Sequence, residues 1–97
     1  MSKNLINVGI QLVPLKIENA IFIIDVAIAI IKKHGYKTTV TPFETVVECT
    51  FEQSTKLLTD INNMCEKYND LEWLLNVRYH CNAGADVIAD DKTMKHK

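Results

Sequence analysis

Glu48 is the residue of this chain whose surroundings most need a chemical explanation. It stands among Val46, Val47 and Cys49, and a carboxylate in an apolar run is costly unless a donor or a cation meets it. On the wet face of a half-buried strand it would be an ordinary solvated glutamate. Turned into a site, it would supply a fixed acceptor for a ligand. Other groups capable of chemistry are scattered. His34, His80 and His96 are not spaced like metal ligands one helical turn apart. His80 adjoins Cys81, but neighbouring strand residues point to opposite faces, which separates a thiol from its base. The sequence has no Gly-x-Ser-x-Gly turn, and Gly9, Gly35 and Gly84 make no phosphate-binding loop. These patterns predict no catalytic residues, no metal and no cofactor. Cys49, Cys65 and Cys81 lack any Cys-x-x-Cys pair, and read as buried or partly buried free thiols in a reducing cytoplasm.

The elements that must position these groups follow from periodicity. Leu5 to Val13 alternates as a strand, with Ile6, Val8, Ile10 and Leu12 on one face and Asn7, Gly9 and Gln11 on the other. Pro14 is expected to end it. From about Glu18 to His34 the pattern is helical, with Lys32, Lys33 and His34 complementing the dipole and Gly35 as the C-cap. Its isoleucines favour a strand, but its alanines and its length argue for a helix. Tyr36 to Thr41 and Thr45 to Thr50 read as two strands that break at Pro42, which cannot donate to a ladder. Glu52 to Tyr68 is an amphipathic helix carrying Leu57, Leu58, Ile61, Met64 and Cys65 at three- and four-residue steps. Leu71 to Cys81 is the last strand, with Trp73, Leu75, Val77 and Tyr79 on one face and Glu72, Leu74, Asn76, Arg78 and His80 on the other. A loop starts at Asn82, and a short helix is expected from about Asp90 in the tail.

The order βαββαβ leads to a four-stranded antiparallel sheet with two helices on one face, an α+β sandwich. If the first and third strands are its central pair, the uncovered face presents Asn7, Gln11, Val46 and Glu48 beside Asn76, Arg78 and His80. Apolar groups mixed with fixed amides, a carboxylate and a guanidinium suit a small heterocycle.

The 97 residues form one domain, 1–97, with 47% hydrophobic and 24% charged residues, an ordinary balance for a globular chain. Eleven basic residues against 12 acidic ones give a net charge of -1, which offers no broad attraction for nucleic acid or an anionic membrane. Asp25 interrupts the apolar run from Ile21 to Ile31, which is too short for a membrane span of about 20 residues.

Three stretches in register carry a family resemblance. Ile10-Gln11-Leu12-Val13-Pro14, Thr41-Pro42-Phe43-Glu44-Thr45-Val46-Val47-Glu48 and Asp91-Lys92-Thr93-Met94-Lys95-His96 resemble the corresponding runs of the small thiamine-binding proteins. Cys49 stands where that family usually has Gly, and Val46 where it commonly has Thr. The resemblance implies a ferredoxin-like fold, no catalysis, and binding of thiamine or its hydroxymethylpyrimidine moiety at interfaces of a cytoplasmic homodimer or homotetramer. It implies a ligand role for Glu48, which could accept from the amine of an aminopyrimidine or hold its protonated ring nitrogen. Gln11 and Thr45 would complete the pattern, and Phe43 would stack on the ring. Arg78 would pair with an acid of the sheet face, Glu48 itself being one choice, whereas Glu44 reads as a solvated turn residue. Buffering, delivery and salvage of the cofactor all fit. The alternative is a ligand-sensing or regulatory interaction module of the same fold, and a small enzyme using Glu48 or His80 as acid or base is the remoter rival.

Overall fold

Thr50 and Gln53 show how local chemistry sets the elements of this chain. Gln53 N donates to Thr50 Oγ1 at 3.2 Å, and Gln53 Oε1 accepts from Thr50 N at 2.9 Å. This reciprocal capping box satisfies two orphan amides at a helix start. It places the first turn at Phe51, one residue before the start expected from periodicity. The structure is a computed structural model that describes residues 4–15 and 18–88. Its elements are β1 (Ile6–Leu15), α1 (Ala20–Lys33), β2 (Lys37–Val40), β3 (Thr45–Cys49), α2 (Phe51–Glu66) and β4 (Glu72–His80). The tail motif at 91–96 and the helix expected there lie outside the described residues.

The four strands form an antiparallel sheet in the order β2-β3-β1-β4, the ferredoxin-like arrangement. The central pair is β1 and β3, as expected. Pro14 does not end β1. The β3 ladder stops at Ile10 opposite Thr45, whereas β4 continues alongside β1 as far as Leu15 opposite Glu72. Pro14 therefore lies on a stretch with a strand on one side only, where a residue without an N–H is tolerated.

In α1, Asn19 Oδ1 accepts from Phe22 N at 3.2 Å. At the other end Gly35 takes φ +82° and donates to Lys32 O at 3.1 Å, a left-handed position that favours glycine. The β-branched run stays helical because Ile23, Ala27 and Ile31, four residues apart, are buried. Burying an isoleucine is worth about 1.5–3 kcal/mol, against a propensity loss of at most about 0.7 kcal/mol. Ile31 joins Leu57 and Ile61 of α2 and Ile6, Val8, Ile10, Val47 and Cys49 of the sheet in the main core. A second cluster of Ile23, Ala27, Met64 and Cys65 packs against Trp73.

Cys49 and Cys65 are buried free thiols. Burial pushes the Cys49 thiol up from 9.0 to about 11 and raises that of Cys65. Cys81 departs from the expectation of a buried or partly buried thiol. It is exposed because β4 ends at His80, leaving the next residue without a paired neighbour to cover it.

Candidate functional site

Both helices cover one face of the sheet, and the register of the three ladders arranges the other face in rows. Lys37, Glu48, Asn7 and His80 form one row across all four strands, and Thr39, Val46, Gly9 and Arg78 form the next. Gln11 stands opposite Asn76 in the row beyond, and Val13 opposite Leu74 at the end.

The two central residues of the Glu48 row are buried, while Lys37 and His80 at its ends are exposed. The Glu48 side chain is 8% exposed, with Lys37 Nζ 3.9 Å from Oε2. Asn7 beside it is 3% exposed. The chain after β4 folds back here: Asn7 Nδ2 donates to Val87 O at 3.2 Å, Val87 N to Leu5 O at 2.9 Å, and Leu5 N to Asp86 Oδ1 at 2.8 Å. Asn7 Oδ1 is left buried without a hydrogen-bond partner among the described residues.

The end of the face toward Gln11 is open. Arg78, which could have paired with Glu48, instead donates from Nη2 to Glu44 Oε2 at 2.6 Å. Glu44 is thus a half-buried, paired residue rather than the solvated turn residue expected. The cause is Gly9, directly opposite Arg78 in the ladder. A Cβ on Gly9 would collide with Glu44 Oε1 and lie 3.3 Å from Arg78 Nη2. With no side chain on the central strand, the acid of the hairpin reaches across it to the arginine of β4. Asn76 Nδ2 donates to Gln11 Oε1 at 3.1 Å beside this bridge. Gln11, Phe43, Glu44, Asn76 and Arg78 line an open concavity of about 310 Å³ floored by Gly9.

Of the residues expected to bind, this concavity brings together Gln11, Phe43 and Arg78. Glu48 shares the face but is not part of its lining. Thr45 is buried on the helix side, opposite Ile10, and lines a second cavity, of about 360 Å³ between α1, β1 and the 40–45 hairpin, which Gln11, Phe43 and Glu44 also border. Gly9, Glu44 and Asn76 border the concavity on the sheet face without being among the residues expected to bind, although Asn76 is expected on this face. A glycine on an otherwise alternating strand is the signal that points to Gly9 and Glu44, since it marks close approach by another group.

A larger concavity of about 770 Å³ lies on the helical side, where Val26, Ile30, Met64 and Tyr68 meet Lys33, Lys67 and the His34–Asp60 pair. Its single acid, Asp60, already holds His34 Nε2 at 2.8 Å. Asn63 also lines this larger concavity; the sheet-face concavity is smaller, and it alone of the two combines two side-chain amides with a carboxylate and a phenyl ring. Among the described residues no group of three or more His, Cys, Asp or Glu is placed to hold a metal ion, and no helix is long and apolar enough to cross a membrane.

The thiamine-binding protein family model matches residues 8–97. No curated protein matches the chain. A crystal structure from Thermotoga maritima, described as that of a candidate thiamine biosynthesis/salvage protein, is similar with a TM-score of 0.84 at 26% identity, covering 96% of this chain and 99% of the other. A domain of unknown function from Bacillus cereus gives 0.86 at 19% identity over 98% and 92% of the two chains. A hypothetical protein from Methanocaldococcus jannascii gives 0.85 at 15% identity over 96% of each. These last two show likeness of fold.

Proposed function

The chain belongs to the thiamine-binding protein family, and from that premise we propose that it binds thiamine or its hydroxymethylpyrimidine moiety, without turning it over, on the open face of its sheet. The observation that carries this reading is the convergence of Gln11, Phe43, Glu44, Asn76 and Arg78 on one concavity. An aminopyrimidine offers amine donors beside ring-nitrogen acceptors, and its flat ring needs an aromatic or apolar surface. Amides, a carboxylate and a phenyl ring meet both requirements.

We place the site at an interface between subunits of a homodimer or homotetramer. Phe43, which borders the concavity, is 80% exposed and Leu74, on the same face of the sheet, is 52% exposed; large apolar side chains left exposed beside a polar site suit a surface that another molecule covers. Residence in the cytoplasm suits the free thiols. Buffering, delivery or salvage of the cofactor is the physiological role we propose, and the description of the Thermotoga maritima relative supports salvage.

Calorimetry with thiamine, hydroxymethylpyrimidine and a panel of amino acids tests the proposal. Saturable binding of either pyrimidine, with no consumption of it over hours, is the expected result. Selective binding of an amino acid would point to a sensing module of the same fold, and turnover of thiamine would make the protein an enzyme.

A further inference from the structure

We infer that Glu44, not Glu48, is the carboxylate that receives the amino group of the pyrimidine, and that Arg78 is the residue that positions it. The inference rests on the thiamine-binding reading and adds the recognition chemistry of the site.

Glu44 is held at three points. Its backbone is pinned by Thr41, whose N and Oγ1 both donate to Glu44 O, at 2.9 and 2.6 Å, and whose Oγ1 accepts from Glu44 N at 3.0 Å. Its Oε2 accepts from Arg78 at 2.6 Å. Its side chain rests over Gly9, where no Cβ keeps it off the strand. A bridge between exposed side chains alone would be weak evidence for a site, since such pairs contribute little. Here the bridge crosses a central strand at its only glycine and forms part of the wall of a concavity.

The arrangement leaves a specific set of atoms for a ligand. Arg78 engages Oε2, and Glu44 Oε1 has no hydrogen bond within the described residues. Asn76 Nδ2 occupies Gln11 Oε1, which leaves Gln11 Nε2 as a donor and Asn76 Oδ1 as an acceptor. A carboxylate oxygen and an amide N–H on one concavity suit an exocyclic amine beside a ring nitrogen: the amine donates to Glu44 Oε1 and Gln11 Nε2 donates to the ring. Glu48 has a different setting. Its side chain is buried near Lys37 and beside Asn7, outside the concavity.

The test is calorimetric titration of thiamine, hydroxymethylpyrimidine and the pyrimidine analogue lacking the amino group. The proteins are the parent, Glu44→Gln, Glu48→Gln, Arg78→Met and Arg78→Lys, each verified for assembly. Glu44→Gln should weaken both amino-bearing ligands by about 10- to 100-fold, the size expected for a hydrogen bond to a charged group, and should bind the analogue as the parent does. Glu48→Gln should stay within about threefold of the parent, a change below the size of one net hydrogen bond. Arg78→Met should weaken binding less than Glu44→Gln, and Arg78→Lys should recover part of the loss because an ammonium can still hold Oε2. Parental affinity in Glu44→Gln, or a loss confined to Glu48→Gln, overturns the inference while the thiamine reading stands. Failure of the parent to bind either natural pyrimidine overturns both.

Discussion

Glu44 Oε1 occupies the space in which a side chain on Gly9 would begin. The two residues lie on different strands' worth of chain, one on β1 and one in the turn before β3, yet each explains the other. Without Gly9 the carboxylate could not rest on the sheet, and without Glu44 the glycine would only weaken its strand.

Gly9→Ala should therefore reduce pyrimidine binding by about as much as Glu44→Gln, roughly tenfold or more, while the protein stays folded. Only the far ends of two flexible side chains, Glu44 and Arg78, stand in the way of the new methyl, so the backbone is not forced to move. Calorimetry paired with thermal melts checks both halves. A Gly9→Ala protein with parental affinity would show that the Glu44 carboxylate is free to bind from another position.

Leu74→Glu should prevent the proposed association of subunits. Leu74 is on the open face opposite Val13 and half exposed, and a charge there would be desolvated in an interface. Light scattering over a dilution series should show a larger species for the parent than for the variant. A parent that stays monomeric at every workable concentration would remove the inter-subunit site.

Maleimide should label Cys81 quickly near pH 8 and leave Cys49 and Cys65 unlabelled until the protein unfolds, because only Cys81 is exposed and the thiolate is the reactive form. The buried thiols also tie stability to pH. Cys49 ionises at 9.0 when freely solvated and at about 11 in the fold, so the unfolded chain loses its proton first. Its contribution is intact below pH 9 and falls as the pH rises toward 11. Denaturant titrations at pH 8 and 10.5 should show this decline, and Cys49→Ala should flatten it. Replacing all three cysteines should leave ligand affinity unchanged.

Thr50→Ala should cost about 1 kcal/mol, the usual loss for an N-cap, and lower Tm by about 4–8 °C for a domain of this size. It removes the Oγ1 that accepts from Gln53 N without touching the open face. Ligand affinity should not change, which makes this variant the control for stability effects in the binding series.

Much of the fold was legible because alternation assigns a face to each residue without knowledge of its neighbours. In β4 the residues from Trp73 to Tyr79 that were assigned to the core are the half-buried ones, and Glu72, Leu74, Asn76, Arg78 and His80 are exposed. Thr45 and Glu48 obey the same rule: three positions apart on one strand, they face opposite ways. Pro14 misled because tolerance of proline depends on which strands flank it, and only the register reveals that. The partner of Arg78 was hidden for the same reason. Its bridge to Glu44 spans 34 positions of sequence and exists only because the ladder sets Arg78 opposite Gly9.

The turn built on Thr41 has a consequence for the course of binding. Thr41 Oγ1 accepts from both Phe43 N and Glu44 N and donates to Glu44 O, so residues 41–44 are ordered before any ligand arrives. Fixing one residue's backbone costs about 1–2 kcal/mol in conformational entropy, and for these four residues that loss belongs to folding. An incoming pyrimidine meets a carboxylate already in place. Association should then follow a single concentration-dependent phase set by encounter, with no slower step for closing a loop.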